Sequence, residues 1–186
     1  SIGNYAFSDC NSLTNITLPE NINSIRKAAF SGCSNLTNIT IPESVTWIAS
    51  EVFLDCNSLI NIKLPANIIE IAGWTFDGCN SLTSIIIPES VTRIGKYAFR
   101  GCSSLTKVTI PESTVKIECN AFEDCRNLPS ITIPKEVTEI GTNIFRGCSS
   151  LMSIKVDEKN VYYDSRNNCN AIIHTSSNAL ITGCRD

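Results

Sequence analysis

Apolar and polar residues follow a pattern along this chain that repeats every 23 residues. In the clearest copy, residues 94–111, the residues Phe99, Cys102 and Leu105 each recur 23 positions earlier and 23 positions later. A fixed period of this length predicts a solenoid, in which like units stack and each contacts only its neighbours. Residues at the same position of successive repeats are called a ladder below. The three ladders are Phe7, Phe30, Phe53, Phe76, Phe99, Phe122 and Phe145; Cys10, Cys33, Cys56, Cys79, Cys102, Cys125 and Cys148; and Leu13, Leu36, Leu59, Leu82, Leu105, Leu128 and Leu151.

One segment of each repeat alternates between apolar and polar residues. In residues 105–111, Val108 and Ile110 are apolar while Lys107 and Thr109 are polar, which predicts a short strand with one buried face. Proline follows this segment in six repeats, as expected at a strand end, because proline lacks the backbone donor that a sheet needs. Like strands one repeat apart run parallel, about 4.8 Å from each other. We therefore predict a parallel sheet along one side of the solenoid.

Two further segments complete each repeat. Val91 and Ile94 lie in an extended stretch that we expect to run back along the outer wall. Residues 97–101 are predicted to form one helical turn. The residue before each ladder cysteine is always Asp or Gly, as at Asp55 and Gly101, and both types tolerate a left-handed backbone. We therefore predict a left-handed residue at the end of every such turn.

This combination of segments resembles the BspA-like leucine-rich repeat family of bacterial and some protozoan surface proteins. The resemblance is carried by Ile-Gly-x-x-Ala-Phe-x-x-Cys-x-x-Leu-x-x-Val-x-Ile-Pro-x-Ser-Val-Thr, beginning at Ile94, and by its copies along essentially the whole chain. It implies a right-handed leucine-rich repeat solenoid, dominated by β-structure with short helical turns, whose parallel sheet lies on the concave face. It also implies a binding or adhesive role at a cell surface without enzymatic activity. By the same resemblance, the chain is expected to be a fragment of a longer protein.

The repeat is regular over most of the chain and then decays. We predict a repeat array of about seven coils over residues 1–156 and a divergent segment over residues 157–186 that contains a β-hairpin. Local distortion is expected after Pro111, where Thr114 replaces the apolar residue of other coils. Terminal coils without caps expose apolar surface and strand edges, so end-to-end self-association is expected at both ends.

Composition and charge exclude several classes of function. The formal net charge of −3 provides no electrostatic footprint for nucleic acid, and the densest apolar run, residues 85–87, is far too short to insert into a membrane. There is no glycine-rich phosphate loop and no paired spacing of His and carboxylate residues for a metal. His174 is the only histidine and lies in no catalytic motif. We therefore predict no enzyme activity and no cofactor.

Most of the ten cysteines belong to the ladder, which indicates packing rather than a disulfide framework. A straight row of thiols does not converge on a zinc ion, so buried, reduced side chains are expected. Cys119 lies off the ladder and is predicted to be an exposed thiol without an activating basic neighbour. Cys169 and Cys184 are candidates for a disulfide if the hairpin has a two-residue loop, because they then lie opposite each other. A three-residue loop breaks that register.

The outward-facing strand positions are the candidate binding site. They form a polar surface on the concave sheet beside an acidic row, and an ordinary solvated sheet face is the alternative interpretation. Four aromatic residues, Tyr5, Trp47, Trp74 and Tyr97, are expected on the convex side. The candidate concave residues are Asn38, Asn61, Lys63, Ser84, Lys107, Thr109 and Lys155, and the acidic row is Glu20, Glu43, Glu89, Glu112 and Glu158.

Three functions are compatible with these features. The first is an extracellular or cell-surface module that binds a host or matrix protein, with no nucleic-acid partner and no membrane insertion. The second is a structural stalk or spacer within a larger surface protein, which the near-uniform Asn, Ser and Thr side chains favour. The third is glycan binding through the outward aromatic residues, because aromatic rings can stack on sugars.

Overall fold

Two kinds of strand alternate along the chain, as the 23-residue pattern predicts. The computed structural model describes residues 1–184, so the last two residues of the predicted segment 157–186 lie outside it. The outer wall consists of two-residue strands: β1 Ser24–Ile25, β3 Trp47–Ile48, β5 Glu70–Ile71, β7 Arg93–Ile94, β9 Lys116–Ile117 and β11 Glu139–Ile140. The opposite wall consists of β2 Asn38–Thr40, β4 Asn61–Lys63, β6 Ser84–Ile86, β8 Lys107–Thr109, β10 Ser130–Ile133 and β12 Ser153–Val156.

The strands of each wall pair in parallel, one coil apart. In the outer wall β5, β7, β9 and β11 form a four-stranded sheet, and β1 pairs with β3. In the opposite wall β2 pairs with β4, β6 with β8, and β10 with β12. Every parallel pair joins residues 23 positions apart, as in Asn38 with Asn61 and Ile94 with Ile117. The predicted parallel solenoid is therefore confirmed.

The core is a stack of ladders between the two walls. Successive Phe rings stack with centroids 5.1 to 6.0 Å apart, and the five from Phe30 to Phe122 are fully buried. The ladder cysteines are unbonded thiols, buried from Cys33 to Cys125 and more accessible at Cys10 and Cys148. These thiols also donate hydrogen bonds: the Sγ of Cys102 lies 3.2 Å from the carbonyl oxygen of Phe76, one coil earlier. They are therefore fillers with a polar contact, which the sequence interpretation did not include.

The predicted helical turn is wrong, because residues 97–101 form hydrogen-bonded turns rather than a helix. Two left-handed residues interrupt the segment, Tyr97 with φ of 57° and Gly101 with φ of 71°. Between them, the amide of Phe99 donates to the carbonyl oxygen of Ala121 in the next coil at 2.8 Å. Because alternate amides bond to the neighbouring coil, they cannot form an α-helical ladder. All seven predicted left-handed positions are confirmed, and a second left-handed ladder begins four residues earlier at Tyr5, Ala28, Glu51, Trp74, Tyr97, Asn120 and Asn143.

The distortion expected near Thr114 is also absent. The Thr114 side chain is fully buried at the position of Val91, and its Oγ1 donates to the carbonyl oxygen of Val91 at 3.2 Å. Lys116 and Ile117 then pair with β7 in the ordinary register. Threonine has nearly the shape of valine, and the hydrogen bond satisfies the hydroxyl group that differs.

After β12 the chain changes from parallel to antiparallel pairing. Strands β13 Tyr163–Asp164, β14 Ala171–His174 and β15 Leu180–Gly183 form an antiparallel sheet, with a 3-10 helix at Arg166–Asn168 before β14. Strands β14 and β15 form the two arms of a β-hairpin.

This small sheet covers the last coil. Ile172 is fully buried in the shared core, and the Tyr163 hydroxyl accepts a hydrogen bond from the Ile140 amide at 3.1 Å. The buried Asn160 donates to the carbonyl oxygens of Pro134 and Val137. This segment therefore acts as a cap on the last coil, while self-association at the ends of the solenoid stays a prediction. No helix within residues 1–184 is long and apolar enough to cross a bilayer.

Candidate functional site

The concave surface is formed by the outward side chains of the longer strands. Each strand alternates between exposed and buried residues, so two rows face solvent while the residues between them enter the core. All seven candidate binding residues are exposed in these rows. The first row is Asn15, Asn38, Asn61, Ser84, Lys107, Ser130 and Ser153, and the second is Thr17, Thr40, Lys63, Ile86, Thr109, Thr132 and Lys155.

Asparagine side chains occupy the first three positions of the first row. The Nδ2 of Asn61 donates to the Oδ1 of Asn38 at 3.1 Å, across the coil boundary. The Nδ2 of Asn38 in turn donates to the hydroxyl of Thr37 at 3.0 Å. These amide groups are thus partly satisfied by one another, which holds them in place along the wall.

The three lysines of the concave surface differ in their electrostatic surroundings. The Nζ of Lys63 lies 3.1 Å from the Glu43 carboxylate, which also accepts a hydrogen bond from the Ala66 amide at 2.8 Å. The Ala66 amide, followed by Lys63, lowers the pKa of Glu43. Lys107 and Lys155 form no ion pair with any residue in the described part of the chain. Two of the three lysines are therefore available to an acidic partner.

Two of the four outward aromatic residues are already engaged. The rings of Trp74 and Tyr97 lie 5.6 Å apart, and the Nζ of Lys96 lies over both. Arg100 covers Tyr97 at 4.6 Å and also pairs with the buried carboxylate of Asp77 at 2.6 and 2.8 Å. Burial raises the pKa of Asp77, and its bonds with Arg100 oppose that shift. The faces of Trp74 and Tyr97 are thus partly covered, whereas Tyr5 and Trp47 are about half exposed.

Cys119 lies in an open cleft of about 510 Å³ beside the cap. The Thr142 hydroxyl donates to its Sγ at 3.5 Å and lowers the pKa of the thiol, and the charge of Lys96 adds to this effect. The prediction of no basic neighbour is therefore wrong, and the side chain is half-buried rather than fully exposed. Lys96, Cys119 and Thr142 are one ladder, so the spacing of 23 residues would have revealed the contact.

The hairpin register does not place Cys169 opposite Cys184. A β-bulge between Ile172 and Ile173 shifts the pairing, and the Cys184 amide donates to the carbonyl oxygen of Asn170 at 2.9 Å. The direct opposition on which the disulfide prediction rested is thus absent. A bond between these two cysteines has no support from the strand pairing.

Within residues 1–184 there is no group of three or more His, Cys, Asp or Glu side chains arranged to hold a metal ion. His174 packs edge-on against Tyr163 with ring centroids 5.5 Å apart, and its Nδ1 lies within hydrogen-bonding distance of Ser176 and Ser177. These contacts hold the hairpin turn in place.

Sequence comparison places the chain among leucine-rich repeat proteins. Six copies of the BspA type leucine-rich repeat region match residues 1–88 and 70–178. The chain therefore belongs to this family, whose repeats serve as protein-interaction and surface modules. A search of curated proteins found no match.

Solved structures from several bacteria share the fold. A leucine-rich cell surface protein of Faecalibacterium prausnitzii is 33% identical, with a TM-score of 0.76 over 86% of this chain and 43% of its own. A leucine-rich repeat protein of T. pallidum is 35% identical, with a TM-score of 0.76 over 80% and 70% of the two chains. The pneumococcal vaccine antigen PcpA is 29% identical, with a TM-score of 0.70 over 80% and 37%. The chain thus spans less than half the length of the first and third of these proteins.

Proposed function

We propose that this chain is a protein-binding module of an extracellular or cell-surface protein, and that its concave surface binds a host or matrix protein. The similarity to a cell surface protein and to a vaccine antigen supports this location. The observation that carries the proposal is the change in side chains along the second concave row. Lys63, Ile86 and Thr109 follow one another there, although the Phe, Cys and Leu ladders of the core each keep one residue type.

This variation has no explanation in folding alone. The residues of the row are exposed and contribute nothing to the core, so any β-compatible polar residue would suffice. A strand surface held by hydrogen bonds between coils is rigid, and a rigid surface loses little conformational entropy when a partner binds. Residues that differ on such a scaffold can define specificity, as concave surfaces of other repeat proteins illustrate.

A structural spacer is the second candidate, and one observation favours it. The first coils present only asparagine and threonine on the concave surface, at Asn15, Thr17, Asn38 and Thr40. A uniform polar surface keeps a solenoid soluble without selecting a partner. Glycan binding is less well supported, because Lys96 and Arg100 partly cover the rings of Trp74 and Tyr97, which leaves Tyr5 and Trp47 as the uncovered members of this group.

The test uses the whole chain and immobilised collagen, fibronectin, laminin and fibrinogen in surface plasmon resonance. We expect binding to at least one of them, with slower association and altered salt dependence when Lys63, Lys107 and Lys155 are all changed to Glu. Circular dichroism should show that this exposed triple variant keeps the fold. Absence of binding by the parent supports the spacer function. Loss of binding only in Trp47→Ala supports a binding site formed by the outward aromatic residues.

A further inference from the structure

Ile86 is the most exposed of the large hydrophobic residues in the described part of the chain. Its side chain is 87% exposed at the end of β6, near the middle of the concave surface. Four other coils place threonine at this position and two place lysine, so the fold does not require an apolar residue there. An isoleucine at this site gains nothing from the core, but it can contribute binding energy when a partner removes it from water.

Polar side chains surround Ile86 on the neighbouring strands. The register places Thr109 beside Ile86 and Lys107 beside Ser84, and Lys63 occupies the same row one coil earlier. An apolar centre with a hydrogen-bonding rim is the arrangement found at binding hot spots, where the rim excludes water from the centre.

The charges around Ile86 are asymmetric. Lys63 is paired with Glu43 at 3.1 Å, whereas Lys107 forms no ion pair with any residue from 1 to 184. Glu89 and Glu112 of the acidic row follow the C-terminal ends of β6 and β8, while Lys107 begins β8, so the positive charge lies at the opposite end of the two strands. Lys107 lies on the adjacent strand and two residues along it, at about 8 Å from Ile86 by standard sheet spacing. In an extended peptide, side chains two residues apart point the same way and are separated by roughly 7 Å.

We propose that Ile86 and Lys107 form an anchor for an extended acidic segment of a partner protein. The segment places an apolar side chain on Ile86 and a carboxylate, two residues away, beside Lys107. This inference rests on the proposed function, because it specifies which part of the concave surface binds and which chemistry it selects. Ser84 and Thr109 supply hydrogen bonds to the segment.

The probe is a blocked nonapeptide, Ser-Thr-Glu-Thr-Leu-Thr-Glu-Thr-Ser, in which leucine is the anchor and each glutamate lies two residues away. It is titrated into the isotope-labelled whole chain while backbone amide shifts are followed by NMR. We expect saturable shifts in β6 and β8 with a Kd of about 1 mM, the weak range for a short peptide. A peptide with lysine in place of both glutamates should bind at least about fivefold more weakly, since its charges repel Lys107.

Matched variants keep the fold because each uses a residue found at the same position in other coils. Ile86→Thr should weaken binding about fivefold or more, and Lys107→Ser should remove the preference for the acidic peptide. Ile69→Thr is the control: Ile69 is 65% exposed, lies on the outer wall, and has threonine at the same position in three other coils. This variant should bind like the parent.

The anchor is rejected if the acidic peptide causes no shifts in β6 and β8 at about 5 mM, or if Ile86→Thr binds it as the parent does. Its failure is distinguishable from failure of the proposed function. One possible outcome is a matrix protein that binds Ile86→Thr like the parent but binds the variant with Lys63, Lys107 and Lys155 changed to Glu more weakly. That result supports the concave surface as the binding site and rejects the anchor. A peptide that binds, with no matrix protein bound, supports the anchor and removes the proposed class of target.

Discussion

The Asp55 carboxylate lies where a side chain on Gly78 would have to begin. A Cβ added to Gly78 would overlap the Oδ1 of Asp55, one coil earlier. The same relationship links Asp9 with Gly32 and Asp124 with Gly147. Glycine therefore has two roles at these positions of the ladder. It adopts the left-handed backbone without strain, and it leaves the space that the aspartate of the preceding coil fills.

Gly78→Ala should destabilise the protein more than Gly101→Ala. Both glycines have positive φ, 77° and 71°, so both variants carry the strain of a left-handed alanine, about 1–2 kcal/mol. Only Gly78 also meets the Asp55 carboxylate, whereas the nearest atom to a Cβ at Gly101 is 3.7 Å away. Urea unfolding should show an additional loss of up to about 1 kcal/mol in Gly78→Ala, because the Asp55 side chain must rotate away to make room.

Asp55→Ala should partly rescue Gly78→Ala, because it removes the overlapping oxygen. Measured in a double-mutant cycle, the two changes should be non-additive by about 1 kcal/mol. Equal losses in Gly78→Ala and Gly101→Ala, or strict additivity with Asp55→Ala, would show that backbone strain alone determines the residue at this ladder.

Alkaline pH should unfold the protein through its buried thiols. Burial raises the pKa of the Cys33 thiol to about 11 from its usual value near 9.0, and burial also raises the pKa of Cys56, Cys79 and Cys102. The folded state therefore keeps protons that the unfolded state loses, so stability is full below pH 9 and falls above it. The expected slope is up to about 1.4 kcal/mol per pH unit for each thiol.

The measurement is the free energy of unfolding between pH 8 and 10.5, compared with that of the double variant Cys79→Ala and Cys102→Ala. The variant has a lower stability at pH 8 because the two substitutions leave cavities. Above pH 9 its free energy of unfolding should fall less steeply with pH, because the contribution of two thiols is missing. Parallel pH profiles for the two proteins would assign the alkaline transition to other groups.

The period of the sequence determined which parts of the structure could be predicted. Residues with ladder counterparts, such as Phe99 and Gly101, were placed correctly because seven copies report the same environment. The left-handed Tyr97 was missed because its ladder holds Tyr, Ala, Glu, Trp and Asn, a mixture that hides a backbone requirement. Asn160 and Tyr163 were missed because each acts once, in the cap, and no counterpart shows its role.

The candidate site was predictable only in part. Alternation along the strands correctly identified the exposed rows, but charge pairing depends on neighbours in other coils. Lys63 is paired with Glu43 whereas Lys107 is not, and this difference between the two lysines is not visible in the sequence. The bulge between Ile172 and Ile173 lies within the arms of the hairpin and not in its loop, so loop length alone could not predict the register.

Tyr163→Phe should loosen the cap and weaken the last coil. The Tyr163 hydroxyl accepts a hydrogen bond from the Ile140 amide and lies 3.4 Å from the carbonyl oxygen of Thr138 as a donor. Its removal leaves a partly buried amide without a partner, at a cost of about 1–2 kcal/mol. Hydrogen exchange of the Ile140 amide should accelerate most. Tyr162→Phe is the control, because Tyr162 is 46% exposed, and equal exchange in the two variants would contradict a capping role.

Cys119 should react with iodoacetamide faster than an equally exposed cysteine of ordinary pKa, because its contacts favour the thiolate. The Thr142 hydroxyl lowers the pKa of the thiol by donating to Sγ, and Lys96 adds an electrostatic contribution. Thr142→Val removes the donor while keeping the shape of the side chain, so the pKa should rise and alkylation at pH 7.5 should slow about two- to fivefold.

The rate is measured by mass spectrometry of the Cys119 peptide across pH 6.5 to 9.5, which yields the pKa directly. Thr138→Val is the matched control, since Thr138 lines the same cleft without contacting the sulfur. If both variants shift the pH profile equally, or neither does, the reactivity of Cys119 follows from exposure and not from the ladder contact with Thr142.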